Sequence, residues 1–209
     1  MFRLIVFDLD GTIVEFNIPF DLIRARRGIK NRFILERIME ETDERKRREM
    51  LQILEEFEIE SAKSSKLAFY AKELLDFLRR SGIIHGIVTR NSRRSVEIVA
   101  NKFGLKFDFI ISREDAKPKP SEEPIKIVIE RFGVKGDETL VVGDFLFDLL
   151  AGKKAGAKTA LIVHSKNYSM VEIFKPHADY IFHSLKELAE FLGDKNDSKG
   201  SSQIRVSHD

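Results

Sequence analysis

Short apolar runs alternate with amphipathic helical periods along most of this chain. Leu4-Ile5-Val6-Phe7 is a continuous apolar run, and similar runs recur at 83–88, 107–111, 139–142, 159–163 and 179–182. Between them, apolar positions spaced three and four residues apart predict helices at 66–80, 93–103, 123–132, 147–155 and 185–191. Strands that alternate with helices of this length predict an α/β fold whose parallel sheet is covered on both faces.

Residues 15–65 interrupt this alternation. Helical patterns cover 20–27, 32–39 and 44–57, and no strand pattern lies among them. Apolar stripes occur at Ile34, Leu35, Ile38 and Met39, and at Met50, Leu51, Leu54 and Phe57. We therefore predict a Rossmann-like parallel-sheet core from residues 1–14 and 66–193, with a small α-helical cap inserted at 15–65. The Ser-, Asp- and Lys-rich segment 194–209 is predicted to be a flexible tail.

Composition narrows the classes of function. The chain has 209 residues and no cysteine, which excludes disulfides and thiolate chemistry. Its net charge of +2 does not indicate nucleic-acid binding, and no apolar run approaches the ~20 residues of a membrane span. Met1-Phe2-Arg3 leads directly into the first strand, which leaves no room for a signal peptide. We expect a cytoplasmic protein, and its oligomeric state is left open.

Two carboxylates follow the first strand. Asp8 and Asp10 are one residue apart, so an extended chain would point them to the same side. Their mutual repulsion requires a cation or a shared proton. Gly11 permits a sharp turn, and we expect Thr12 to hydrogen-bond the backbone of that turn. Taken alone, the segment is also compatible with an acidic turn that carries no chemistry.

Three later strands end in further polar residues. Thr89-Arg90-Asn91 follows the second strand, the loop 113–120 follows the third, and Asp144 and Asp148 follow the fourth. The carboxyl ends of parallel strands meet at one edge of a sheet, where α/β proteins bind their ligands. The four strand ends therefore predict a cluster of acids with one hydroxyl and one lysine.

These segments, in this order, resemble the four motifs of the haloacid dehalogenase superfamily over about residues 1–14 and 67–192. The nearest branch is the phosphoglycolate-phosphatase type, which carries a helical cap after the first motif. The resemblance implies a phosphomonoester hydrolase that acts on a small phosphorylated metabolite with Mg²⁺. Carbon–halogen hydrolysis is disfavoured, because it uses the nucleophile without a following acid such as Asp10. Phe145 and Phe147 depart from the pattern, which often places small polar residues there.

The resemblance also implies roles for the first two motifs. Asp8 would be the nucleophile that forms an aspartyl-phosphate. Asp10 would protonate the leaving oxygen and then deprotonate the hydrolytic water. Thr89, Arg90 and Asn91 would bind the substrate, with the Thr89 hydroxyl on a phosphoryl oxygen.

The fourth motif would complete a Mg²⁺ site. By the same resemblance, Asp144 would bind the ion together with Asp8 and the backbone carbonyl of Asp10. Asp148, four residues further on, is expected to orient water at the metal rather than to bind the metal directly.

The third motif should supply a lysine that neutralises charge on the phosphate and the nucleophile. Lys117 and Lys119 both precede a proline. Counting from Lys119 places Glu123 in register with the acid of the family pattern, whereas counting from Lys117 places Ser121 there. The register favours Lys119 as the catalytic and substrate-binding residue, with Lys117 as a solvated loop charge.

Two other functions remain open. A phosphomutase or phosphotransferase of the same superfamily would form the same aspartyl-phosphate, but no cap residue is recognisable that would shield it from water. A non-catalytic phospholigand-binding protein would not need Asp10. Among the histidines, only His164 follows a strand near the predicted site, and it is most simply a loop histidine.

Overall fold

The computed structural model of the protein describes residues 1–15 and 34–200, with side chains up to residue 193. The helix predicted at 20–27, the start of the one predicted at 32–39 and residues 201–209 lie outside the described residues. Among the described helices, none is long and apolar enough to cross a membrane.

Six strands and eight α-helices are formed by the described residues. The strands are β1 (Leu4–Phe7), β2 (Ile84–Val88), β3 (Phe109–Ile111), β4 (Thr139–Gly143), β5 (Lys158–Ile162) and β6 (Tyr180–Phe182). The helices are α1 (Ile34–Met39), α2 (Glu44–Ser64), α3 (Ala71–Arg80), α4 (Arg93–Phe103), α5 (Glu123–Phe132), α6 (Leu146–Lys154), α7 (Val171–Phe174) and α8 (Leu185–Gly200). Short 3₁₀ turns lie at Gly136–Glu138, Tyr168–Met170 and Lys175–His177.

The six strands form one parallel sheet in the order β3-β2-β1-β4-β5-β6. Phe7 at the end of β1 pairs with Ile87 of β2 and Val142 of β4. The chain leaves β1 for β2 on one side and later returns to β4 on the other. The loops beside β1 therefore diverge and leave a crevice at the carboxyl ends of the strands.

Helices cover both faces of the sheet, as predicted. Along β1, Val6 packs into an apolar cluster with Ile125 of α5, while Phe7 packs into another with Leu74 of α3. Successive side chains of a strand point to opposite faces, so a strand covered on both sides must be apolar throughout. The α/β fold with a parallel sheet is therefore confirmed.

The described part of the insert consists of α1 and α2. Ile34, Leu35 and Ile38 pack against Leu54, so the two predicted stripes meet. Met39, expected in the first stripe, is instead 56% exposed. Helix α2 begins after Asp43, whose side chain accepts hydrogen bonds from backbone amides of the first turn. The helix continues to residue 64 rather than ending at 57, because its last turns are buried against the core and α4.

Other helix boundaries also differ from the predicted ones. Helix α3 begins at residue 71 rather than 66, because Leu67 forms a β-bridge with Val14 and Tyr70 has a left-handed φ of 68°. Helix α8 continues to Gly200, beyond the predicted end at Phe191. The short helix α7 and its flanking 3₁₀ turns were not predicted.

Candidate active site

A buried lysine lies at the centre of the strand ends. Lys119 Nζ donates hydrogen bonds to Asp8 Oδ1 at 2.7 Å, to the Val88 carbonyl at 2.7 Å and to Asp148 Oδ1. Its side chain is 2% exposed, whereas Lys117 is exposed. The structure therefore places Lys119, the lysine that the register favoured, among the acids.

Three carboxylates surround this lysine. Asp8, Asp144 and Asp148 each have an oxygen within 4.8 Å of the others. Asp8 directly follows β1 and Asp144 directly follows β4, while Asp148 lies in the first turn of α6. Asp148 Oδ2 also accepts a hydrogen bond from the Phe145 amide at 3.2 Å. Both oxygens of Asp148 therefore have protein partners.

The turn after β1 packs against Asp144. Gly11 has a φ of 82°, and a Cβ at this position would lie 2.3 Å from Asp144 Oδ2. The turn thus requires glycine both for its conformation and for the close approach. The predicted Thr12 hydrogen bond was wrong, since its buried hydroxyl has no partner among the described residues. Backbone bonds such as Ile13 N to Leu9 O, at 2.9 Å, close the turn instead.

The loop after β2 contacts the second acid. Asn91 Nδ2 donates a hydrogen bond to Asp10 Oδ2. The Asn91 amide donates to Thr89 Oγ1 at 3.2 Å. Among the described residues Thr89 Oγ1 only accepts, so its hydroxyl hydrogen is available to a further acceptor. Asn91, predicted to bind substrate, therefore contacts the predicted acid in this structure.

Arg90 joins the insert to the core. Its Nη2 lies 2.7 and 2.8 Å from the two carboxylate oxygens of Glu36 on α1. Its Nη1 donates to the Lys119 carbonyl, and its guanidinium carbon lies 4.9 Å from the centre of the Phe147 ring. Phe147, which departs from the family pattern, therefore packs against this guanidinium.

The cluster carries more negative charge than one lysine neutralises. Burial, and next the charge of Asp8, raise the pKa of Asp10 from 3.8 to about 8. Burial also raises the pKa of Asp148 to about 7, despite Lys119, and raises that of Asp144. Burial lowers the pKa of Lys119, but the two acids it contacts outweigh this and hold it above 10.5. Clustered carboxylate oxygens with excess negative charge fit a hard divalent cation such as Mg²⁺.

Comparison with known proteins identifies the family. The family described as "Haloacid dehalogenase-like hydrolase" matches residues 15–162, well over half of the chain. The chain belongs to this family. It is therefore an enzyme of the hydrolase class, as the four motifs predicted. The matched segment begins after Asp8 and Asp10, so the assignment of these two residues depends on their position in the site.

This hydrolase is also similar to individual proteins and solved structures. Pyrophosphatase PpaX of Oceanobacillus iheyensis is 29% identical over 213 residues, covering 92% of this chain and 97% of the relative. PpaX of Bacillus velezensis is 34% identical over 127 residues, covering 59% of this chain and 58% of the relative. The crystal structure of a predicted phosphoglycolate phosphatase from Haemophilus somnus has a TM-score of 0.71 at 20% identity, covering 91% and 98% of the two chains. That structure supports the fold alone.

A buried ion pair beside the site of this hydrolase was missed from sequence. Glu58 of α2 pairs with Arg113, and its Oε2 accepts a hydrogen bond from the Ser92 amide at 3.0 Å. The Arg113 amide in turn donates to the Asn91 carbonyl at 3.2 Å. Nothing in the pattern separates Glu58 from the other acids of α2, because only packing shows which of them is buried.

The loop after β5 also reaches the site. His164 Nε2 lies 2.9 Å from Asp144 Oδ2, so the interpretation of His164 as a plain loop histidine was incomplete. Asn167 Nδ2 donates to the carbonyls of Asp144 and Ile162, each at 2.8 Å. The available signal was the position of His164 just after β5, separated from its end by one residue and at the same edge of the sheet.

Proposed function

We propose that this hydrolase is a Mg²⁺-dependent phosphatase that cleaves a small phosphorylated metabolite through an aspartyl-phosphate on Asp8. The contact of buried Lys119 with Asp8 and Asp148, next to Asp144, is the observation that carries the proposal. A carboxylate attacks a phosphoryl group only if positive charge offsets the repulsion between them. A lysine and a cation site at one nucleophile meet that requirement.

The proposed reaction has two displacements at phosphorus. An Asp8 oxygen attacks phosphorus, the bond to the leaving oxygen breaks, and Asp10 gives that oxygen a proton. Asp10 then takes a proton from water, the water oxygen attacks phosphorus, and Asp8 is released. The hydrogen bond from Asn91 supports this role, because it holds the Asp10 carboxyl in one orientation.

Two groups would bind the transferred phosphoryl oxygens. The Thr89 hydroxyl retains a hydrogen to donate, whereas Lys119, which supplies positive charge at Asp8, would have to give up one of its three present acceptors to contact the phosphate. Arg90 and Asn91 stay predictions as substrate-binding residues. Arg90 would have to exchange Glu36 for the substrate, whereas Asn91 would act through the acid that it contacts.

The carboxylate cluster would hold the metal. We assign Asp8, Asp144 and the backbone carbonyl of Asp10 as its ligands. When bound, Mg²⁺ would supply positive charge that offsets the carboxylates and the phosphate. Asp148 is left outside the ligand set, because both of its oxygens already accept hydrogen bonds from the protein.

The inserted segment, residues 15–65, is proposed to select the substrate. We propose that residues 15–65 form the cap over a core of residues 1–14 and 66–193, in a cytoplasmic enzyme. The ion pair of Glu36 with Arg90 supports this, since it joins the insert to the loop that follows β2. The relatives named pyrophosphatase make pyrophosphate one candidate substrate.

Phosphate release from p-nitrophenyl phosphate with Mg²⁺ tests the proposal. Asp8→Asn should abolish turnover and Asp10→Asn should reduce it strongly. Asp76→Asn, at an exposed acid paired with Arg79, is the control and should retain wild-type activity. Phosphorylated wild-type protein without turnover would favour the mutase, and no reaction at all would favour a binding protein. A panel of phosphorylated metabolites that includes pyrophosphate would then identify the substrate.

A further inference from the structure

The hydrogen-bond partners of His164 define which of its ring nitrogens carries hydrogen. The Lys166 amide donates to His164 Nδ1 at 3.2 Å, so Nδ1 is an acceptor without hydrogen. The hydrogen of the neutral ring is therefore on Nε2, which lies 2.9 Å from Asp144 Oδ2. His164 thus donates a hydrogen bond to this carboxylate without needing a positive charge.

A second side chain holds this histidine in place. Asn167 is 5% exposed, and its Oδ1 accepts a hydrogen bond from the His164 amide at 2.9 Å. Its Nδ2 donates to the carbonyls of Asp144 and Ile162. The loop after β5 is therefore bonded to the backbone that presents Asp144, and the position of the imidazole is set by that connection.

The two oxygens of Asp144 have different surroundings. Oδ2 accepts the hydrogen bond from His164, and no hydrogen bond between described residues reaches Oδ1. Both oxygens lie close to Gly11, since a Cβ there would be 2.3 Å from Oδ2 and 3.0 Å from Oδ1. Carboxylates that bind a metal through one oxygen are commonly oriented by a hydrogen bond to the other. This arrangement leaves Oδ1 as the oxygen available to a cation.

We propose that His164 is a positioning residue for the metal site, whose Nε2–H holds Asp144 Oδ2 so that Oδ1 faces the ion. The inference rests on the proposed function for the existence of that metal site. His164 does not contact the substrate, and its contribution is to metal affinity through the orientation of Asp144. Losing such a hydrogen bond should weaken Mg²⁺ binding by about 10-fold to 100-fold.

Calorimetric titration of the metal-free protein with Mg²⁺ tests the inference. His164→Ala should raise the Kd for Mg²⁺ while the Tm of the metal-free protein stays close to that of wild type. His164→Gln can place an amide N–H near the position of Nε2, so it should recover most of the affinity. His183→Ala is the matched control, because His183 is exposed and only its backbone amide has a described hydrogen bond. Nitrogen NMR of wild type should show hydrogen on Nε2.

Each result separates the inference from the proposed function. A Kd for His164→Ala within about twofold of wild type would overturn the inference. So would a folded His164→Gln whose Kd for Mg²⁺ is raised about 10-fold or more over wild type, and this comparison does not require the alanine variant to fold. Failure of wild type to bind Mg²⁺ would overturn both the metal site and the inference. Normal Mg²⁺ binding with the expected variant pattern, but no phosphatase activity, would refute the proposed function alone.

Discussion

Lys119→Met removes the positive charge at the centre of the site while keeping a side chain of similar length. All three hydrogens of the Lys119 ammonium are used, on Asp8, Asp148 and the Val88 carbonyl. Methionine leaves the two carboxylates without their shared cation. The change therefore separates the effect of charge from the effect of volume.

The expected loss of activity is large. Removing one donor from a preorganised electrostatic site costs about 10²–10³ in kcat, or roughly 3–4 kcal/mol. Lys119 contacts the nucleophile directly, so we expect a loss near 10³. Stability should also fall, and more at pH 8 than at pH 6. The pKa of Asp148, already raised to about 7, rises further without the lysine, so its folded carboxylate becomes more unfavourable as the pH increases.

The assay is p-nitrophenyl phosphate hydrolysis at saturating Mg²⁺, with urea denaturation at pH 6 and pH 8 to measure stability. Lys117→Met is the matched control, since that exposed side chain should leave kcat unchanged. A folded Lys119→Met variant with kcat within about tenfold of wild type would refute the electrostatic role. A comparable loss for Lys117→Met would restore the alternative register.

Three further changes test stability by urea denaturation. Gly11→Ala should cost at least about 1–2 kcal/mol, because the turn has a φ of 82° and lies against Asp144. Arg113→Met should cost about 3–5 kcal/mol at pH 7 by leaving Glu58 buried without a cation. That loss should shrink toward pH 4, because burial raises the pKa of Glu58. Asp179→Asn should cost about 1–2 kcal/mol at pH 7. Burial tends to raise the pKa of Asp179, but hydrogen bonds from Lys153 and from the Thr159 amide of β5 outweigh it and hold this pKa below 3.8. The difference in stability between wild type and Asp179→Asn should therefore vanish as the pH falls below that value.

Each of these three stability predictions has an outcome that would contradict it. Wild-type stability of Gly11→Ala would show that the turn can move away from Asp144. An Arg113→Met loss that does not depend on pH would mean that lost packing of Arg113, rather than the charge of Glu58, is responsible. An Asp179→Asn loss that persists at pH 2 would indicate that packing, rather than charge, is responsible.

The periodicity of the chain predicted the core well because the physical constraint is local. A strand with helices on both faces must be apolar at every position, so β1 and β4 are visible as continuous apolar runs. Helix α5 begins at Glu123 and ends before Gly133, as its pattern predicts. Helix α2 was underestimated, because its last turns are buried by contacts with distant segments.

The candidate site was predictable to the extent that it lies directly after strands. Asp8, Thr89 and Asp144 each follow a strand, and the parallel sheet brings such positions to one edge. Glu58 was not predictable in the same way, and the position of His164 after β5 did not reveal its partner. Their importance depends on which neighbour each side chain meets, and no spacing in the sequence records that.

The sequence alone determined the α/β class, the order of the strands along the chain and the acids that follow them. These features depend on local residue type, because a buried strand is a continuous apolar run and the residues after it are known from the chain itself. Tertiary structure decided the partners. It placed Lys119 rather than Lys117 on the nucleophile, Asn91 on Asp10 and His164 on Asp144. Such contacts join residues tens of positions apart, and only the packing of loops over the sheet edge brings them within hydrogen-bonding distance.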